Sequence, residues 1–179
     1  MLDLGILGFS HVGFAVHDIE EFRDTWGAML GVTDFAVVDV DHDDGFLQIY
    51  GEPAPPASLR VAFAKVANIA IELVQPVRGR TRTADWLDTH GTGIHHLAFW
   101  VRDLRQAVAA LDGVATVTYS PTSLIARGTG ELPVAPATWA YTEAIRARTH
   151  WCLELFDVGH APVMRERYGN HMIFPPEQA

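Results

Sequence analysis

Gly91-Thr92-Gly93-Ile94-His95-His96-Leu97-Ala98-Phe99-Trp100-Val101 decides how the chain is read: two glycines open a short apolar run that begins with paired histidines. Near the N-terminus, Ser10-His11-Val12-Gly13-Phe14-Ala15-Val16 leads into Asp18-Ile19 as His96-Leu97-Ala98-Phe99-Trp100-Val101 leads into Asp103-Leu104, both at an offset of 85 residues. Ile71-Glu72-Leu73 echoes Leu153-Glu154-Leu155 at an offset of 82, and Gly31-Val32 echoes Gly113-Val114 at the same 82. The three lost residues fit a second-half helix shortened between Asp103 and Gly113. The chain is therefore written twice, and His11, Glu72, His96 and Glu154 hold equivalent places in its halves.

Working outward, residues 8–16 alternate as a strand, and Asp18 caps a helix that runs to about Leu30 and stops at Gly31. Strands are expected at 34–40 and 46–50, then a hairpin at 59–65 and 69–75 that carries Glu72. The second half repeats the plan with a strand at 94–101, a helix at 103–111, and strands at 115–119, 137–142 and 150–157. This predicts an α+β fold of two tandem βαβββ modules. The expected boundaries are 1–79 for the first module, 80–92 for a connector, 93–160 for the second module and 161–179 for a C-terminal tail with one short helix through Tyr168. Residues 120–136, rich in Pro, Gly, Ser and Thr, form a long connection of the kind that serves as a lid or binding element.

Composition narrows the partners. The chain has 179 residues, 49% of them hydrophobic, enough for a substantial core. Its formal net charge of −9 argues against nucleic acid or an anionic membrane as partner. No run approaches the roughly 18 apolar residues of a membrane span and no signal peptide is evident, so a cytoplasmic protein is expected. Cys152 is the single cysteine, which excludes an internal disulfide. Arg78, Arg80 and Arg82 read as a solvated linker rather than a phosphate clamp.

The chemistry follows from strand periodicity. Val12, Phe14 and Val16 form a helix-facing set, so His11 points to the opposite face, and His96, Glu72 and Glu154 follow by the repeat. A carboxylate inside Ile-Ala-Ile-Glu-Leu-Val, or inside Trp-Cys-Leu-Glu-Leu-Phe, is costly unless paired or bound to a cation. A lone strand histidine is usually structural, and a lone glutamate often lies on an edge. Four such residues at matched places point instead to one divalent metal ion held by two imidazoles and two carboxylates, with Zn, Ni, Co, Mn, Mg and Fe all compatible. His95, the neighbour of His96, is expected on the other side of its strand. Phe46, Tyr50, Trp100, Trp139 and Phe156 are candidates to line an apolar cavity.

Taken together, His11, Ile71-Glu72-Leu73-Val74-Gln75-Pro76, Gly91-Thr92-Gly93-Ile94-His95-His96 and Leu153-Glu154-Leu155 resemble the vicinal oxygen chelate superfamily, also called the glyoxalase/bleomycin resistance/dioxygenase superfamily. The nearest likeness is to its methylmalonyl-CoA epimerase and glyoxalase-like branch. The resemblance spans about residues 8–158 and implies curled mixed sheets enclosing a metal-containing cavity, a metal held by His11, Glu72, His96 and Glu154, and a homodimer. It also implies a small-molecule substrate with a carbonyl and a neighbouring oxygen, and the removal of a proton beside that carbonyl by an isomerase, epimerase or glyoxalase-type lyase. Epimerases of this kind use a further carboxylate as base, where this chain offers Gln48 and no acid. The expected proton carriers are therefore Glu72 and Glu154, with Tyr141 as an acid or oxygen-positioning group and Gln48, Tyr50, Trp100 and Trp139 as substrate contacts. The alternatives are a ring-cleaving Fe(II) dioxygenase, and a metal-free antibiotic-binding protein on the same fold.

Overall fold

A computed structural model describes residues 2–125, 138–146 and 149–175. Strand β1 (Ile6–Ala15) leads to α1 (Ile19–Phe22), a π-helical turn (Arg23–Gly27) and α2 (Ala28–Leu30), which together make up the expected first helix. There follow β2 (Ala36–His42), the short β3 (Leu47–Ile49) and β4 (Glu52–Pro53), the long hairpin β5 (Ala57–Val66) and β6 (Ile69–Arg78), and α3 (Arg82–His90). The second half comprises β7 (Gly93–Val101), α4 (Leu104–Ala110), β8 (Ala115–Pro121), β9 (Trp139–Ala144) and β10 (Cys152–Asp157), followed by α5 (Ala161–Tyr168) and a 3-10 turn at Gly169–His171.

The strands form one curled ten-stranded sheet in the order β2-β5-β6-β1-β7-β10-β9-β8-β3-β4. Read outward from the centre, β1-β6-β5-β2 on one side matches β7-β10-β9-β8 on the other, so the written duplication is a spatial one. The helix starts repeat too. The Asp18 carboxylate accepts from the Glu20 and Glu21 amides, and that of Asp103 accepts from the Gln106 amide. Gly31 and Gly113 both take left-handed backbone (φ 69° and 70°), the conformation that ends a helix at little cost to glycine.

One strand departs from the expected plan. Residues 46–50 do not extend the first module; β3 pairs with β8 of the second, Gln48 opposite Ser120, and β4 folds back on β3. The first half needs only β1, β2, β5 and β6 to complete its four strands. The β3–β4 hairpin is thus an insertion that crosses to the other half, where Leu47, Ile49 and Ala54 bury against Tyr119 and Tyr141.

Two layers of packing set the faces. Outside the curl, Val16, Ile19, Phe22 and Val32 pack on Ala62, Ala64, Ile71 and Leu73, and in the second half Leu104, Ala107 and Leu111 pack on Val101, Ala140 and Leu155. Inside it, Leu59, Val61, Phe63, Val74, Ala98, Trp100 and Phe156 meet Ala161, Met164, Tyr168 and Met172. The short helix expected in the C-terminal tail is α5, and it packs over the inner face of the sheet. The arginines of this segment are engaged: exposed Arg80 pairs with Asp85 at 3.1 Å, and half-buried Arg82 pairs with Glu143 at 2.6 Å. No helix among the described residues is long and apolar enough to cross a membrane.

At the centre, Gly13 of β1 stands opposite His96 of β7, and a Cβ on Gly13 would overlap the His96 imidazole. Gly13→Ala should therefore destabilise the protein by about 1–3 kcal/mol, because the ring has no free direction in a packed interior. Gly8→Ala, whose Cβ would meet nothing within 4 Å, should change stability by less than about 0.5 kcal/mol. Urea unfolding of the two variants checks this.

Candidate metal centre

Four adjacent strands, β6, β1, β7 and β10, contribute one side chain each to a single point. His11 lies opposite Ala98 across the antiparallel β1–β7 pair, and His96 opposite Gly13. Glu72 lies beside Gly13 across the parallel β6–β1 pair, and Glu154 beside Ala98 across β10–β7. The two strand positions between the ligand residues therefore carry almost no side chain, which leaves room for both rings and both carboxylates on one face. All four residues are buried, the histidines completely.

The donor atoms converge. His11 Nε2 is 3.2 Å from His96 Nε2, 3.4 Å from Glu72 Oε2 and 3.2 Å from Glu154 Oε2. His96 Nε2 lies 2.9 Å from Glu72 Oε2 and 3.1 Å from Glu154 Oε2, and all four atoms fall within 4.8 Å of one another. Ligand atoms held about 2.1 Å from a common ion sit about 3–3.4 Å apart, so these spacings suit one. The contacts are short enough for ion pairs, yet the Oε2 atoms of Glu72 and Glu154 are buried without a hydrogen bond. Buried carboxylate oxygens left in that state are expensive, and a cation at the point of convergence would satisfy both. The residues thus fit a divalent metal.

Without a cation, protons carry the positive charge. Burial opposes protonation of His11 and His96, but the two carboxylates outweigh it, raising His11 above its ordinary value and His96 to about 9. Burial likewise opposes ionisation of Glu72, but His11 and His96 outweigh it and hold the carboxyl well below the usual range. Burial drives His95 well below its ordinary value, reinforced by the adjacent His96, so that ring is neutral. Tyr141 is pushed up by burial and by the Glu154 and Glu72 charges.

His95 does not sit where strict alternation puts it. The β1–β7 register steps from Gly13–His96 to Phe14–Ile94, so His95 is the extra residue of a β-bulge. The bulge turns it beside its neighbour, with Nδ1 3.0 Å from His96 Nδ1. The same irregularity occurs at the equivalent place in β1, where the register steps from Phe9–Phe99 to His11–Ala98 and Ser10 is the extra residue. Ser10 Oγ lies 3.0 Å from His11 Nδ1.

A cavity of about 300 Å³ opens onto Glu72 and Glu154. Of the residues expected to contact substrate, Tyr141 and Trp139 line it, and the Tyr141 ring lies 4.9 Å from that of His96. Gln48, Tyr50 and Trp100 are not in its wall. Gln48 is buried, its amide nitrogen donating to Ser120 Oγ at 2.8 Å. Tyr50, half exposed, stacks against the Arg82 guanidinium. Trp100 is fully buried in the inner core, its Nε1 donating to the Ile173 carbonyl. Phe46 and Phe156 do line the cavity.

The wall is completed by His42 and by Tyr119, His160, Arg167 and Tyr168, the last four of which sequence reasoning missed. His42 stacks on Phe46 with 8° between the rings. The spacing of Ala161, Met164 and Tyr168 is the apolar stripe of a helix and could have placed α5 on the sheet. Most of the long connection proposed as a lid lies outside the described residues.

A model of the Glyoxalase/Bleomycin resistance protein/Dioxygenase superfamily matches residues 10–123, which takes in three of the four convergent residues. The chain is 27% identical over 101 residues to the uncharacterised protein YqjC of Bacillus subtilis (strain 168), covering 56% of this chain and 62% of that one. It thus spans about three fifths of that relative. Among solved structures, the hypothetical protein BH1468 of Bacillus halodurans C-125 aligns with a TM-score of 0.50 and 18% identity, over 83% of this chain and 92% of that one. A mutant 4-hydroxymandelate synthase of Streptomyces coelicolor gives 0.53 and 18%, over 83% of this chain and 48% of that one. Methylmalonyl-CoA epimerase of Mycobacterium tuberculosis gives 0.47 and 23%, over 86% and 89%. With the repeated strand order and the convergent His-Glu-His-Glu set already described, the chain belongs to the Glyoxalase/Bleomycin resistance protein/Dioxygenase superfamily.

Proposed function

We infer that the protein is a divalent-metal-dependent isomerase, epimerase or glyoxalase-type lyase that moves a proton beside a carbonyl of a small molecule. The observation that carries this reading is the pair of buried, unbonded Oε2 atoms on Glu72 and Glu154, converging with two imidazole nitrogens at the wall of a cavity. His11, Glu72, His96 and Glu154 would hold the metal. A bound divalent ion supplies Lewis acidity, stabilising negative charge on a substrate oxygen.

The chain's own groups divide the remaining work. Glu72 and Glu154 reach the centre from opposite halves, and a carboxylate Oε2 of either is the candidate base for the proton next to the carbonyl. The two would approach a planar intermediate from opposite sides, which suits an epimerisation. Tyr141 stays protonated through burial, as a donor to a substrate oxygen must. Trp139, Phe156 and Tyr168 exclude water and favour a compact, largely apolar substrate. A fourth protein ligand disfavours the ring-cleaving alternative, which needs positions open for both substrate and oxygen. The proposal includes a cytoplasmic homodimer, supported by the apolar patch of Trp26, Met29 and Leu30, 56%, 70% and 47% exposed.

The deciding experiment is a screen of metal-loaded protein in deuterated water against acyl thioesters, thiol adducts of 2-oxoaldehydes and cyclic ketones. Deuterium appearing beside a carbonyl supports the reading, and oxygen uptake with bound iron overturns it. Alanine at His11, Glu72, His96 or Glu154 should each lower metal content after gel filtration, and metal should raise the melting temperature of the parent protein.

Glu72→Gln and Glu154→Gln should separate binding from chemistry, since an amide oxygen still ligates but is a poor base. The variant that removes the base should lose proton exchange by about 100-fold or more while keeping measurable metal. Full exchange in both variants would exclude either glutamate as the base.

The pH dependence has a definite sign. His96 is raised from 6.5 to about 9 in the folded metal-free protein, so its protonation favours folding. That contribution is complete below about pH 6.5 and lost as pH rises through about 9. The melting temperature of chelator-treated protein should fall across this window. Metal-loaded protein, whose imidazoles carry no such proton, should lack that fall.

A further inference from the structure

The matched bulges in β1 and β7 give the metal-facing imidazoles a second pair of partners. The geometry points to Ser10 and His95 as positioning residues for a bound metal, each holding the histidine that follows it with Nε2 turned to the centre. This rests on the metal reading above, and it concerns how the site is prepared rather than what reaction it performs.

The argument starts from proton placement. A neutral imidazole carries one N–H, and the nitrogen that ligates must be the other one. With Nε2 of His11 and of His96 at the point of convergence, the remaining proton of each ring must sit on Nδ1 and needs an acceptor in a site with no exposed surface. Ser10 Oγ stands 3.0 Å from His11 Nδ1, and His95 Nδ1 stands 3.0 Å from His96 Nδ1. Both partners are themselves buried, Ser10 at 0% and His95 at 2% exposure. The His95 ring is further held edge-on by Trp86 and Tyr141, at centroid distances of 5.6 and 5.3 Å.

Regular strands could not supply these partners. Side chains at neighbouring strand positions point to opposite faces, so residue i−1 cannot normally touch the ring of residue i. An extra residue immediately before each ligand relaxes that rule at both places at once. The chemistry differs between halves, a hydroxyl in one and an imidazole in the other, whereas the backbone device is shared. Such outer partners fix ring orientation and basicity, and their loss typically weakens metal binding 10- to 100-fold.

The test is a competition titration of Zn²⁺ against a chelating dye for the parent protein, Ser10→Ala, His95→Phe and His95→Asn. Ser10→Ala and His95→Phe should each bind about 10- to 100-fold more weakly. His95→Asn, whose side-chain carbonyl can accept from Nδ1–H, should recover most of that loss. In the Co²⁺-loaded parent, proton NMR should show two paramagnetically shifted, slowly exchanging imidazole N–H signals, with one lost or broadened in each weakened variant. Equal Zn²⁺ affinity in variants that unfold like the parent, or equal behaviour of His95→Phe and His95→Asn, would overturn the positioning role. So would the absence of the two N–H signals from the parent, a reading that needs no variant to fold. A parent protein that takes up neither Zn²⁺ nor Co²⁺ would instead overturn the metal reading itself, and this inference with it.

Discussion

Two negative charges buried side by side are the constraint on which the rest of this molecule depends. Glu72 and Glu154 sit in apolar strands on either side of a central antiparallel pair, and neither has an arginine or lysine partner within reach among the described residues. Only the imidazoles, and whatever cation they share, stand between those carboxylates and mutual repulsion. The sheet answers with geometry: Gly13 and Ala98 clear the space, and the bulges at Ser10 and His95 re-aim the chain beside it.

Much of this was legible because the chain states it twice. One histidine in an apolar strand carries little information, but His11 with His96, and Glu72 with Glu154, share offsets that a hydrophobic core alone does not require. The helix starts at Asp18 and Asp103 and the glycine ends at Gly31 and Gly113 were readable for the same reason.

What the sequence hid lay in pairing between distant segments. Leu47 to Ile49 is a short apolar run with no preference for either half, and only the packing of Leu47 and Ile49 against Tyr119 and Tyr141 sends it to β8. His95 was misplaced because alternation was carried through a bulge, and a bulge is a matter of register that a single strand does not reveal. Tyr50 and Trp100 looked alike as strand aromatics, yet one is half exposed over Arg82 and the other lies under Ile173. The helix α5 was legible as a short helix through Tyr168, but its place against the inner face was not, because its anchors fall beyond the second repeat, where the internal comparison had nothing to match.

The insertion of β3 and β4 also changes what the sheet presents to other chains. Without it, β8 would end one side with a seven-residue row of unpaired backbone groups, Ala115–Pro121. With it, that side ends in a two-residue strand containing Pro53, which has no N–H to offer. The other side ends in the seven-residue β2, whose Asp39 pairs with Arg60 of β5 at 2.7 Å and whose Asp41 accepts from Ser58 Oγ. The hairpin thus leaves a short, proline-bearing border where β8 would otherwise stand open, so it limits strand addition there as much as it serves the fold.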